Sequence, residues 1–135
     1  MQRRKDPVPL SARQIEIMNI IWARGEASVA EVWEEMSARH NLARNTVQTL
    51  MTRLEEKGWL GHVEEGPAYR YFARRRREAT VRGMVEEMVN TVFAGSADSL
   101  VMTLLESRGV SPDEAQRIRT MIAQAEVLQA ERAAP

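Results

Sequence analysis

Residues Ala43–Gly58, ARNTVQTLMTRLEEKG, separate onto two faces when wound as one helix. Val47, Leu50, Met51 and Leu54 recur at the i, i+3, i+4, i+7 spacing of a buried stripe. Asn45, Gln48, Thr49 and Thr52 point the other way, with Arg44 and Arg53 at the edges, and no acid joins them before Glu55 and Glu56. A side-chain amide can pair with adenine through two parallel hydrogen bonds, and a threonine methyl can meet a thymine methyl, so such a ridge suits the major groove of DNA. A solvated polar face, the usual outer side of a surface helix, is the other reading of the same residues. The flanking segments weigh between the two.

Upstream, Ser28-Val-Ala-Glu31 has the form of a capping box and opens a short helix ending near His40, with Val32, Trp33 and Met36 facing inward. Asn41 and Leu42 make the turn, and the order helix, short connector, outward-reading helix is that of a helix-turn-helix. Further upstream, Ser11-Ala-Arg-Gln14 is a second capping box. It starts a helix whose Ile15, Met18, Ile21 and Trp22 form an apolar face, widened by Ile17 and Ile20, with Gly25 as its left-handed stop. MQRRKDPVP, residues 1–9, has no periodicity and reads as a flexible arm.

Downstream, Lys57-Gly58 closes the central helix, and two runs rich in aromatic and β-branched residues, Trp59–Glu64 and Ala68–Ala73, flank Glu65-Gly66-Pro67. A hairpin directly after a recognition helix is the wing of a winged-helix domain. Its tip carries Glu64 and Glu65, which repel phosphate, while Arg70 and the run Arg74–Arg77, with Arg75 and Arg76 at its centre, are placed to attract it. That run reads either as a phosphate clamp or as the solvated first turn of the next helix, where cations oppose the helix dipole.

From Glu78 the pattern is helical, with Val81, Met84, Val85, Met88, Val89, Val92 and Phe93 in one seam up to Gly95-Ser96. A second helix carries Leu100, Val101, Leu104 and Leu105 on one side and stops at Gly109. Ser111-Pro-Asp-Glu114 opens a third, with Ile118, Met121, Ile122, Ala125 and Leu128 along its inner face. Three helices of this size bury such seams most readily against a second copy, so this region is expected to hold a homodimer. The fold expected is thus mainly α: a winged helix-turn-helix with a small β-hairpin wing over 10–77, a three-helix dimerisation region over 78–130, and a frayed tail over 131–135.

Composition narrows the function classes. The formal net charge of zero is polarised: residues 1–77 hold 14 Lys/Arg against 10 Asp/Glu and the remainder 5 against 9, which together make the 19 of each in the whole chain. A basic front half joined to an acidic back half fits a DNA-binding module followed by a partner-binding one. There is no cysteine, which removes disulfides, thiolate metal sites and a cysteine nucleophile. With two distant histidines and no nucleophile motif or metal-ligand spacing, neither an enzyme nor a cofactor is expected. No apolar run approaches the roughly 20 residues needed to cross a bilayer, and the N-terminus lacks a signal-peptide core, so a cytoplasmic protein without membrane contact is expected.

Four segments carry a resemblance: LSARQIEIMNIIW, NTVQTLMTRLEEKGWL, EEGPAYRYFA and FAGSADSLVMTLLE together resemble the penicillinase-repressor family of bacterial transcription regulators, the BlaI/MecI group. The match runs from about Leu10 to about Ile122 and is most specific at Thr46–Leu50 with Arg53-Leu54 and Lys57-Gly58 behind it. It implies a homodimeric winged-helix repressor on palindromic operators with TACA/TGTA-like half-sites, and it adds Thr46 to Gln48, Thr49 and Arg53 as recognition-helix residues. It also implies release through a membrane sensor-protease pathway that leads to cleavage in the dimerisation region, where Asn90, Thr91, Val92 and Phe93 lie in the matching place. At the wing tip Gly66-Pro67 stands where the family has Gly-Arg, so the resemblance carries no phosphate contact over to that point. Copper-responsive members have a cysteine-rich tail, which this chain lacks. The competing expectation is a winged-helix module used for protein contact, and the ridge of amides, hydroxyls and arginines speaks against it, because such a face would expose apolar side chains.

Overall fold

Serines open four of the helices, each by accepting a hydrogen bond from a backbone N–H of the first turn. Ser11 caps α1 (Ala12–Arg24) and Ser28 caps α2 (Val29–Ser37) in complete capping boxes, with Gln14 and Glu31 returning the bond to the cap residue's own N–H. Ser96 and Ser111 cap α5 (Ala97–Arg108) and α6 (Pro112–Ala133). Between these pairs lie α3 (Arg44–Glu56) and α4 (Arg77–Thr91). The structure is a computed structural model describing residues 9–134; the arm expected over 1–9 lies, but for Pro9, outside the described residues.

Among the described residues three antiparallel strands join the helices, β1 (Glu26–Ala27), β2 (Leu60–Glu65) and β3 (Ala68–Ala73), in the order β1-β3-β2. Leu60 faces Ala73 and Glu65 faces Ala68, which leaves Gly66-Pro67 as a two-residue turn. Gly66 has φ +63°. The ring of Pro67 holds its own φ negative, so the turn is of the II′ kind, whose twist matches the strands. The sequence predicts this hairpin but not β1, whose two residues pair Glu26 with Phe72 and Ala27 with Tyr71 and make β3 the central strand.

The chain divides into two compact units between Met84 and Val85, inside α4 rather than at residue 78. The first has a closed core of Ile17, Met18, Ile20 and Ile21 from α1, Val32 and Met36 from α2, Val47, Met51 and Leu54 from α3, with Ala27, Trp59, Leu60 and Tyr71 from the sheet side. Burial of each large side chain contributes about 1.5–3 kcal/mol. The α1 face is centred on Ile17, Met18 and Ile21 with Gln14 beside them, and the expected Ile15 is only half-buried.

The second unit differs. None of its described residues is buried. Of the residues expected to hold a dimer, Val89, Leu100 and Ile118 are half-buried, while Val85, Met88, Val101, Leu104, Leu105, Met121 and Ile122 are exposed, Met121 by 60%. α6 continues to Ala133, where a frayed tail is expected from 131 onward. Asn90 and Thr91 end α4, Val92 and Phe93 follow, and the backbone then turns through Ala94 at φ +51° and Gly95 at φ +87°. Among the described residues no helix is long and apolar enough to cross a membrane.

Candidate nucleic-acid interface

The inward face of α3 is anchored by Val47, Met51 and Leu54, all fully buried. With that face fixed, Arg44, Asn45, Thr46, Gln48, Thr49, Thr52 and Arg53 all stand exposed. Among the described residues none of the seven side chains makes an internal hydrogen bond or ion pair. The threonines show how unusual this is. Thr80, Thr91, Thr103 and Thr120 each donate a hydroxyl to the carbonyl one turn back, at 2.6–3.1 Å, the habitual bond of a helical threonine. Thr46, Thr49 and Thr52 do not. The start of α3 is open as well: Ala43 is its cap residue, no side chain caps it, and no acid lies in its first turn. Backbone N–H groups left in this way, with Arg44 beside them, favour an anion.

The helix presenting this ridge is held at both ends. At its C-terminus Gly58, with φ +85°, reverses the chain so that the Trp59 N–H donates to Leu54 O at 2.9 Å. His62 Nδ1 on β2 lies 2.5 Å from Glu55 Oε2, tying the last turn of α3 to the hairpin. Upstream, Trp33 Nε1 donates to Leu42 O at 2.8 Å and fixes the connector. Glu16 of α1 bonds His40 at 2.6 Å and Arg13 at 2.9 Å, bracing the end of α2. The bond to His40 is the main reason that the Glu16 carboxyl titrates below its ordinary value, against the opposing effect of burial; Arg13 adds to it. These contacts place a rigid row of unsatisfied donors and acceptors on one side of a helix, the arrangement that reads base edges.

Comparison with known proteins agrees with this geometry. The family model described as penicillinase repressor matches residues 10–124. The chain belongs to the penicillinase repressor family. The methicillin resistance regulatory protein MecI of Staphylococcus aureus (strain N315) is 27% identical over 113 residues, 84% of this chain and 92% of MecI. The transcriptional regulator BlaI of Mycobacterium tuberculosis (strain H37Rv) is 32% identical over 112 residues, 82% of this chain and 80% of its own length. Among solved structures, the DNA-binding domain of the repressor BlaI superposes with a TM-score of 0.50 at 30% identity, covering 55% of this chain and 90% of that one. MarR of E. coli, at 13% identity and a TM-score of 0.53 over 86% of this chain and 77% of MarR, shares the fold alone. This penicillinase-repressor chain is a DNA-binding transcriptional repressor and not an enzyme.

Arginines outside α3 have surroundings that the sequence does not show. Arg70 is not left for phosphate: its Nε donates to Glu26 Oε1 at 3.1 Å and its Nη1 to Glu31 Oε1 at 2.7 Å. It clamps β3 to β1 and α2. Glu31, which also accepts from the Ser28 N–H and faces Arg24, is held below the ordinary carboxylate range, chiefly by that Ser28 bond. Arg75 and Arg76, expected as phosphate contacts, lie apart from the α3 ridge. Their run follows β3 at the end of the hairpin away from Gly66-Pro67, with the Arg74 N–H on Trp59 O at 2.9 Å, and it lines a groove with Asn19, Trp22 and Ala23 of α1. Sequence reading also missed His62, whose ring stacks on Tyr69 at 4.1 Å beside buried Tyr71. The period-2 spacing of Tyr69 and Tyr71 was the available signal. With Glu64, Glu65 and Val63 exposed, the wing tip presents no cation.

Proposed function

We propose that the chain works as a homodimer that represses transcription by placing α3 of each copy in the major groove of a palindromic operator. Its release comes by proteolysis at the end of α4 or by a partner signal. The observation that carries the reading is the ridge of seven exposed side chains on α3, none of them satisfied within the protein. Gln48 and Asn45 are the adenine readers, Thr46, Thr49 and Thr52 the methyl and hydroxyl contacts, and Arg53 reads guanine or, like Arg44, phosphate. Arg70, Arg75 and Arg76 have no part in this assignment. The absence of exposed apolar residues from the ridge favours DNA over a protein partner at this face.

Exposed apolar side chains throughout the second unit support the dimer, since two copies of one recognition helix then meet two half-sites related by the same two-fold axis. Asn90, Thr91 and Val92 are exposed where α4 ends, and helix termini open at the low end of the stability range. That supports the cleavage route. The decisive experiment selects DNA fragments from a random pool with the wild-type chain and with Gln48→Ala. The variant is expected to lose roughly 1–3 kcal/mol of discrimination at one base pair per half-site while its non-specific binding persists. A uniform loss across all sequences would remove Gln48 from base reading.

A further inference from the structure

Four consecutive arginines, Arg74–Arg77, contribute to the lining of one groove of the first unit. Asn19, Trp22 and Ala23 of α1, Ala73 at the end of β3, and Arg74–Arg77 with Glu78 line an open groove of about 490 Å³, a volume in the range of small-molecule sites. The backbone carrying the arginines is fixed: Trp22 Nε1 donates to Arg75 O at 2.8 Å, and Thr80 bonds Arg76 O through both its N–H and its hydroxyl. Their side chains are oriented too. Arg74 lies over the Phe72 ring at 5.5 Å, Arg75 over the Trp59 ring at 5.2 Å, and Arg77 Nε donates to Asn19 Oδ1 at 3.3 Å. Gly61 makes the first of these stacks attainable, because a Cβ there would stand 2.8 Å from Arg74 Nε.

Stacking engages the face of a guanidinium and leaves its edge donors open. Among the described residues no carboxylate pairs with any of the four, although Arg13, Arg24 and Arg70 of the same unit are each paired with at least one. Four adjacent unpaired cations at a helix start repel one another and oppose the helix dipole, so a bound anion would relieve both. We propose that this groove is a binding site for a compact organic polyanion carrying two or more carboxylate or phosphate groups. The ligand's charged groups meet the edges of Arg74–Arg77, and its body lies against Trp22 and Ala23. A DNA strand is the less suited occupant, because the groove lies between α1 and the base of the hairpin, shares no lining residue with the α3 ridge, and is bordered by Glu78.

The test is a titration of the full-length, isotope-labelled chain with citrate and, separately, pyrophosphate at constant ionic strength. Saturable shifts are expected at the Trp22 indole N–H, the Asn19 amide and the Arg74–Arg77 Nε–H groups, with one anion per chain and no such response to chloride. A response to either probe supports the site, and the stronger one identifies its chemistry as carboxylate or phosphate. Arg74→Gln with Arg77→Gln should weaken the binding about tenfold or more. Asn19→Asp, an exposed change that supplies Arg77 with an internal anion, should do the same without the loss of any arginine. Shifts absent, tracking ionic strength alone, or centred on Arg44–Arg53 would overturn the proposal. So would expulsion of the anion by DNA added at equal ionic strength, which would make the run a backbone clamp; simultaneous binding of both is the supporting result. Because the anion is read on the DNA-free protein, this outcome is independent of how Gln48→Ala behaves.

Discussion

The two units of this repressor solve the problem of burial in opposite ways. In the first, three short helices and a three-stranded sheet close over thirteen buried apolar side chains among the described residues, ten of them without measurable exposure. In the second, three helices carry seams of valine, leucine, isoleucine and methionine, and no described residue is buried. A unit with its own core folds alone; a unit whose apolar seams face water gains its stability only when a partner covers them. On the proposed reading, the first unit reads DNA and the second holds two copies together.

The strongest way to break this contrast is to separate the units. A fragment of residues 9–84 should unfold cooperatively at a midpoint independent of its concentration. One of residues 85–134 should show cooperative unfolding only at concentrations where it self-associates, as circular dichroism over a concentration series would reveal. Concentration-independent unfolding of the second fragment would refute its dependence on a partner.

Next in size is Leu104→Arg, which puts a cation in the middle of the α5 seam. Sedimentation should show monomers, and operator affinity should fall by roughly 10²-fold or more as the two half-sites lose their linkage. A variant that stays dimeric would place the interface on other residues. In the first unit Leu54→Ala removes a fully buried side chain directly behind the recognition ridge and should cost about 2–5 kcal/mol in chemical denaturation. The dimer constant should not move with it. A shift of that constant would show that the two units are not independent.

The smallest expected effect concerns pH. Folding lowers the proton affinity of Glu16 through its bonds to His40 and Arg13, so on acidification the unfolded state takes up its proton first. The stabilisation is therefore complete above the ordinary value of 4.5 and is lost as the pH falls through the lower, folded-state value. Glu16→Gln should be less stable than wild type near neutrality, and the gap should narrow below about pH 4.5. Parallel stability curves for the two proteins across that range would remove the carboxylate from this role.

How much of this was written in the chain alone depends on the distance over which each feature acts. The serine caps, the glycine stops, the inward stripe of Val47, Met51 and Leu54 and the hairpin around Gly66-Pro67 are local, so periodicity and turn chemistry determined them, and with them the outward ridge of α3. The apolar seams after residue 85 were likewise legible, because they repeat at helical spacing. Only the tertiary structure decided the rest. β1 is two residues long and has no period to detect; it exists because β3 lies beside it. Arg70 reads as a free cation until folding brings Glu26 and Glu31, 44 and 39 positions away, to its guanidinium. The arginine run acquires its groove from Trp22, 53 residues before Arg75. Spacing in sequence sets which way a side chain points from its own helix or strand, but the partner it meets is set by chain segments that no local pattern encodes.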